Sequence, residues 1–177
     1  MKTQKGRCLL IFMVSLFLLF TPKQTFPLSH IESLEGLKGV EVIVEELKPE
    51  LEDYNLSVIQ IQKEVEAKLQ SAGINVLNKE DNEKIQPSRQ PYLYIKISSC
   101  KLPARRPFFA FYIDFALNQR VKILGNTQLK KYIFYCPTWY KSELGAVSGK
   151  ELSNIIEIVK ALTEKFIKDF QTANLNK

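Results

Sequence analysis

Lys101, Arg105 and Arg106 stand within one short turn, KLPARR at residues 101–106. Cations placed that close together can hold a phosphate or a carboxylate, since hydrogen bonds between ionised partners are roughly twice as strong as neutral ones. The plainer role for the same three residues is to solubilise a turn. Trp139 is the other candidate for anion or partner contact. Its ring serves either as a platform for a ligand or as a lid on the core, and a shift of one residue in strand register decides between the two. Covalent chemistry has little to start from. Nucleophilic hydrolysis needs a base beside its Ser or Cys, and the one histidine, His30, sits in a linker-like stretch. No Gly-rich phosphate loop, nucleophile elbow or cluster of Cys and His ligands occurs. The acids of EELKPELEDYN read as a solvated loop rather than as paired glycosidase carboxylates. Asp114, the sole acid of residues 89–141, is expected to pair with a cross-strand Arg or Lys. No catalytic, cofactor-binding or metal-ligating set is therefore expected, and the chain reads as a non-enzyme.

Charge is unevenly spread along the chain. Residues 31–88 carry six basic and thirteen acidic groups, while residues 89–141 carry ten basic groups against Asp114. That basic block also holds twelve of the nineteen aromatics. Basic and aromatic residues interleaved on a sheet resemble a nucleic-acid platform in composition. The amino terminus argues against that partner. Lys2, Lys5 and Arg7 precede thirteen mostly apolar residues, 8–20, in the pattern of an export signal. The run is shorter than the about 20 residues a membrane-spanning helix needs. Residues 1–30 are expected to be signal peptide and linker, either removed on export or kept as an anchor with membrane association. Cys8 opens the apolar run instead of following it, which disfavours lipidation. An exported protein in the periplasm or cell envelope meets protein partners or anionic envelope material, such as lipid head groups, lipopolysaccharide or wall polymer, and not nucleic acid.

Residues 31–177 are of the size of one domain. In residues 37–44 (LKGVEVIV) alternating valines read as a first strand. Ser57 and Gln60 form a capping-box pattern before Val58, Ile61, Val65, Leu69 and Ala72, which recur at helical spacing up to Gly73. Residues 74–77 (INVL) read as a short strand, parallel to the first across the helical crossover. The polar stretch 78–91 reads as a mobile loop. Residues 92–98 (YLYIKIS) alternate, and residues 108–124 give the clearest strand: Phe109, Phe111, Ile113, Phe115, Leu117, Val121 and Ile123 share one parity, interrupted by Gln119. After a turn at Gly125 and Asn126, residues 130–140 (KKYIFYCPTWY) make a third β-rich run, with Pro137 marking an edge or a bulge. Ser148 and Glu151 open a closing amphipathic helix carrying Leu152, Ile155, Ile156, Val159, Leu162, Phe166 and Phe170. Two one-faced helices and one strongly apolar sheet face are satisfied together by an α+β two-layer sandwich. Its mixed sheet, in the order β-α-β-β-β-β-α, has both helices on one face.

The pattern LKGVEVIVEEL, LQSAGINV, PYLYIKI, the Thr138–Trp139 pair and FIKDFQTAN resembles small exported bacterial α+β domains of unassigned activity. Their fold is similar to that of auxiliary lipoproteins of envelope transport systems and of the amino-terminal domain of the Tol-system propeller protein. The resemblance implies the architecture and an envelope location, and no reaction.

Export makes a disulfide between Cys100 and Cys136 the obvious expectation, but the meander opposes it. With the second hairpin turning near residues 125–128, Cys136 falls opposite about Leu117 and Cys100 opposite about Arg106. At about 3.3 Å per residue the two are roughly 30 Å apart, against a limit of about 7 Å between bridged Cα atoms. The cysteines are expected to be unbonded. Two roles follow: a binding or scaffold module held through its basic sheet face or an edge strand, or a carrier with aromatics lining a cavity between sheet and helices for an amphiphilic or anionic ligand.

Overall fold

The computed structural model describes residues 30–77, 91–103, 107–122 and 134–175. Four strands, β1 (Glu41–Val44), β2 (Tyr92–Leu102), β3 (Phe108–Val121) and β4 (Phe134–Ser148), form one sheet in the order β1-β2-β3-β4. β1 runs parallel to β2, and the other pairs are antiparallel. Three helices, α1 (Pro49–Glu52), α2 (Val58–Ser71) and α3 (Asn154–Asn174), accompany it. This is the expected α+β mixed-sheet fold.

The core is built from the alternation read in the sequence. Leu93, Ile95 and Ile97 of β2 and Phe109, Phe111, Ile113, Phe115 and Leu117 of β3 are all buried. They face Ile61, Val65 and Leu69 of α2 and Ile155, Ile156, Val159, Leu162 and Phe166 of α3. Each such side chain taken out of water contributes about 1.5–3 kcal/mol, and this sum, rather than local propensity, makes the elements persist. α2 and α3 are also joined by ion pairs, Lys68 with Glu164 and Lys160 with Glu64 at 3.1 Å.

Several boundaries differ from those expected. INVL makes only an isolated parallel bridge, Val40 to Val76, flanked by Val40 N–H donating to the Asn75 carbonyl and Leu77 N–H to the Val40 carbonyl. Gly39 permits this close approach, since a Cβ there would lie 2.5 Å from the Asn75 oxygen. Ser57 holds the N-cap position of α2 with extended backbone, but its side chain makes no capping bond. Gly73 does close that helix, at φ 77°. β4 continues eight residues beyond the expected end, because its polar second half, KSELGAVS, supplies backbone partners to β3 from Phe108 to Phe115. Ser148 Oγ donates to Glu151 at 2.8 Å, but that pair belongs to a single 3₁₀ turn, Gly149–Glu151, and α3 starts later, at Asn154. The expected turn at Gly125 and Asn126, Ile123, and the loop at 78–90 lie outside the described residues.

Pro137 does mark a bulge. Leu117 pairs with Trp139 and Asn118 with Pro137, so Thr138 is the extra residue on β4. Its insertion turns Trp139 inward. The indole is fully buried and meets Phe115 and Phe166 edge-on, with centroids at 6.0 and 5.1 Å, while Nε1–H donates to Asp169 Oδ2 at 2.9 Å. Gln119, the polar break in the apolar parity of β3, donates from Nε2 to the Ser33 carbonyl at 3.0 Å and holds the 3₁₀ turn Glu32–Leu34 against the sheet.

Trp139→Ala should cost about 3–5 kcal/mol, a fall in Tm on the order of 10 °C by thermal denaturation. A shift of only a degree or two would contradict this packing.

Candidate functional site

Among the described residues the sheet has one face covered by helices and one open face. Strand alternation and the pairing register place Tyr92, Tyr94, Lys96, Ser98 and Cys100 of β2 on the open side. They share it with Phe108, Tyr112, Asp114 and Asn118 of β3, and with Tyr135, Tyr140, Ser142 and Leu144 of β4. Five of the chain's seven tyrosines are therefore gathered on one surface, opposite the helices. The aromatics of the basic block divide as the strand parity predicts, with Phe109, Phe111 and Phe115 in the core, joined there by Trp139, and Tyr92, Tyr94, Tyr112, Tyr135 and Tyr140 outside with Phe108.

Hydrogen bonds order this face from two carboxylates. Tyr140 donates its phenolic proton to Asp114 Oδ1 at 2.7 Å, and its hydroxyl meets that of Tyr112. On β2, Tyr94 donates to Glu45, whose other oxygen accepts from Lys96 Nζ at 3.0 Å. Tyr92 and Tyr135 meet ring to ring, with centroids 5.7 Å apart. Lys96 lies directly across from Asp114, where a cationic partner was expected. Its ammonium goes to Glu45, and Asp114 instead accepts from a phenol. The network was missed in the sequence because the Thr138 bulge decides whether Tyr140 or Trp139 reaches the row of Asp114. A usable signal was Asp114 at the same strand parity as Tyr112.

Hydrogen bonding with Tyr112 first, and then with Asp114, pushes the Tyr140 pKa from the ordinary 10.0 to about 12. The phenol stays protonated at neutral pH, where it donates a hydrogen bond and serves poorly as a base. With 44% of its surface still exposed, it can meet a partner without leaving the network.

The other candidates fall elsewhere. Lys101 is exposed near the end of β2, opposite Phe109, whereas Arg105 and Arg106 lie outside the described residues. Trp139 is not a surface contact, because the bulge commits it to the core as a lid. Lys141, which follows the same parity, reaches over that ring at 5.9 Å. On the open face Lys96 is paired with Glu45 and Arg120 stands opposite Tyr135, whereas Lys141 lies on the helical side. Cys100 and Cys136 are free, opposite Ala110 and Gln119. Nine residues of β3 separate those positions, about 30 Å, so the expectation of no bridge holds although both hairpin registers differ from those assumed. His30 is exposed, at the start of the described chain.

The space that a carrier would need between sheet and helices is occupied by Phe109, Phe115, Trp139 and Phe166, all fully buried. Concavities among the described residues include surface grooves. One of about 520 Å³ runs beside β4 and α3, lined by Glu143, Glu157, Ile158, Leu162 and Lys165. No described helix is long and apolar enough to cross a membrane.

No family model matches the chain, and no curated protein matches it. Among solved structures, the 2.35 Å crystal structure of a minor lipoprotein from Acinetobacter baumannii is similar, with a TM-score of 0.40 and 8% identity over 78% of this chain and 93% of that one. A likeness that loose carries no argument about this chain. What defines the site is its own geometry, a four-stranded sheet bearing an open tyrosine face.

Spectrophotometric titration of the tyrosines should show one phenol ionising near pH 12, and that late step should vanish in Tyr140→Phe. Because the folded pKa is raised, the stabilisation it brings is in place below about pH 10 and is lost as pH climbs through about 12. Tyr112→Phe, which removes the larger of the two holds, should bring the step down. Tyrosines that all titrate together near pH 10 would contradict the network.

Proposed function

We propose that the chain is an exported, non-catalytic binding or scaffold module of the cell envelope that engages a protein partner through the open face of its sheet. The observation that carries this reading is the face itself. Tyr92, Tyr94, Tyr112, Tyr135 and Tyr140 lie side by side with no helix over them among the described residues, and two carboxylates hold the hydroxyls of Tyr94 and Tyr140. Tyrosine suits such a role because it offers a large rigid ring and a polar tip for the loss of few rotamers, and it is enriched at interfaces.

Size supports the same reading. Four strands at about 4.8 Å spacing and eleven residues at about 3.3 Å give a face on the order of 700 Å², close to the about 800 Å² each partner commits to a standard interface. Exposed Phe108 and Leu102 extend its apolar content at one end. The amino-terminal basic head and apolar run support export, and with it an envelope partner rather than a nucleic acid.

Crosslinking in the envelope followed by pull-down tests the reading. A defined partner should be recovered with the parent chain and lost with Phe108→Asp combined with Tyr112→Ala, both on the inner strand β3. The triple reversal of Lys101, Arg105 and Arg106 to Glu should leave recovery intact. Loss with the triple reversal alone would assign the contact to the cation turn and an anionic envelope component, and would overturn the open-face reading. So would recovery that neither change affects.

A further inference from the structure

We infer that this protein forms a two-fold dimer by pairing the outer edge of β4 with the same edge of a second copy, centred on Ser142. β4 is the terminal strand of the sheet, fifteen residues long and hydrogen-bonded to β3 on its other side. An exposed edge of that length offers a row of backbone donors and acceptors to any passing strand, and proteins usually blunt it. Among the described residues only the first half is blunted. The bulge interrupts the ladder at Thr138, and Ser33 Oγ donates to the Thr138 carbonyl at 3.1 Å, tying the 3₁₀ turn across the edge. From Trp139 to Ser148 the pairing with β3 runs in regular register, and Leu144 stands 75% exposed in the middle of that stretch.

Symmetry makes the choice of occupant testable on the sequence. In a continuous antiparallel sheet the two-fold axis passes between a residue and its own copy, so a single residue must sit at the centre. Centring on Lys141 sets lysine against lysine, and centring on Glu143 sets glutamate against glutamate. Ser142 between them removes both conflicts. Lys141 then faces Glu143 of the second copy and Glu143 faces Lys141, on the helical side of the sheet. On the open side Tyr140 faces Leu144 twice over, which covers the exposed leucine with an aromatic ring. Trp139 falls opposite Gly145, which has no side chain to collide, and a Cβ at Gly145 is already forbidden by the Phe111 ring 2.5 Å away.

Opposite charges and aromatic–aliphatic pairs facing each other across strands are the stabilising combinations, and like charges the destabilising one. One register satisfies all of them from a segment of seven residues. Among the described residues Glu143 makes no ion pair of its own, so its charge is free to serve the second copy. The groove beside β4 and α3, lined by Glu143 and Glu157, lies where the Lys141 side chain of the second copy would enter. The resulting eight-stranded sheet keeps all helices on one side and joins the two open tyrosine faces into one surface. The dimer does not depend on that face having a partner.

Sedimentation of the full chain should show a dimer. Lys141→Glu and Glu143→Lys should each weaken it by about tenfold or more, because each breaks two symmetry-related pairs at once, and the double reversal should restore it. Both side chains reach solvent, so the variants retain the fold. Ser142→Cys should give a disulfide-linked dimer on air oxidation, above the background of the parent chain's own cysteines. Leu144→Cys should not, its copies being about 13 Å apart along the strands. A chain that sediments as a monomer at every concentration, a dimer indifferent to both single reversals, or linkage at position 144 in place of 142 would overturn the inference.

Discussion

The indole of Trp139 joins the two layers of this protein. It reaches the sheet through Phe115 and the closing helix through Phe166, and its N–H is bound by Asp169 from that helix. A buried indole without an acceptor would cost about 1–3 kcal/mol, so the carboxylate on α3 is as necessary as the apolar contacts. The inward turn of Trp139 rests on one extra residue, Thr138, inserted where β4 passes Leu117. Beyond the bulge, parity is set for the rest of β4. Lys141, Glu143 and Gly145 follow Trp139 on the helical side, and Tyr140, Ser142 and Leu144 stand on the other.

Both surfaces proposed for binding follow from that assignment. Tyr140 reaches Asp114 and Tyr112 because Trp139 points the opposite way, and the hydroxyl network that orders the open face depends on it. The edge segment acquires its alternation of charge and apolar groups from the same parity. The helices pack on one face because the large apolar side chains of β2 and β3 share it. The other face is left to tyrosines, of which Tyr94, Tyr112 and Tyr140 find hydroxyl partners beside them.

Much of this was legible in the residues. The odd-numbered run from Phe109 to Leu117 marked the core face of β3, Val58 to Leu69 marked the inner face of α2, and Pro137 marked the bulge. What escaped depended on long-range pairing. INVL has the composition of a strand, but only Val76 forms a bridge, beside Gly39. KSELGAVS has too few apolar residues to read as a strand and becomes one because β3 needs a partner along its whole length. The capping pattern at Ser148 formed as written yet closed a 3₁₀ turn instead of starting α3. Trp139 could be read as a ligand platform or a core lid, because the choice turns on one residue of register that no local pattern encodes. The placement of Tyr140 beside Asp114 was hidden for the same reason, and with it the tyrosine network.

The chain contains a single tryptophan, so its intrinsic fluorescence reports on this one junction. If Trp139 is sealed between Phe115 and Phe166, emission from the native protein is that of an indole out of water. It resists quenching by acrylamide, and shifts to the solvent-exposed spectrum only in the same transition that unfolds the sheet. Native emission already at the solvent-exposed position, with quenching as ready as in the unfolded chain, would contradict the account.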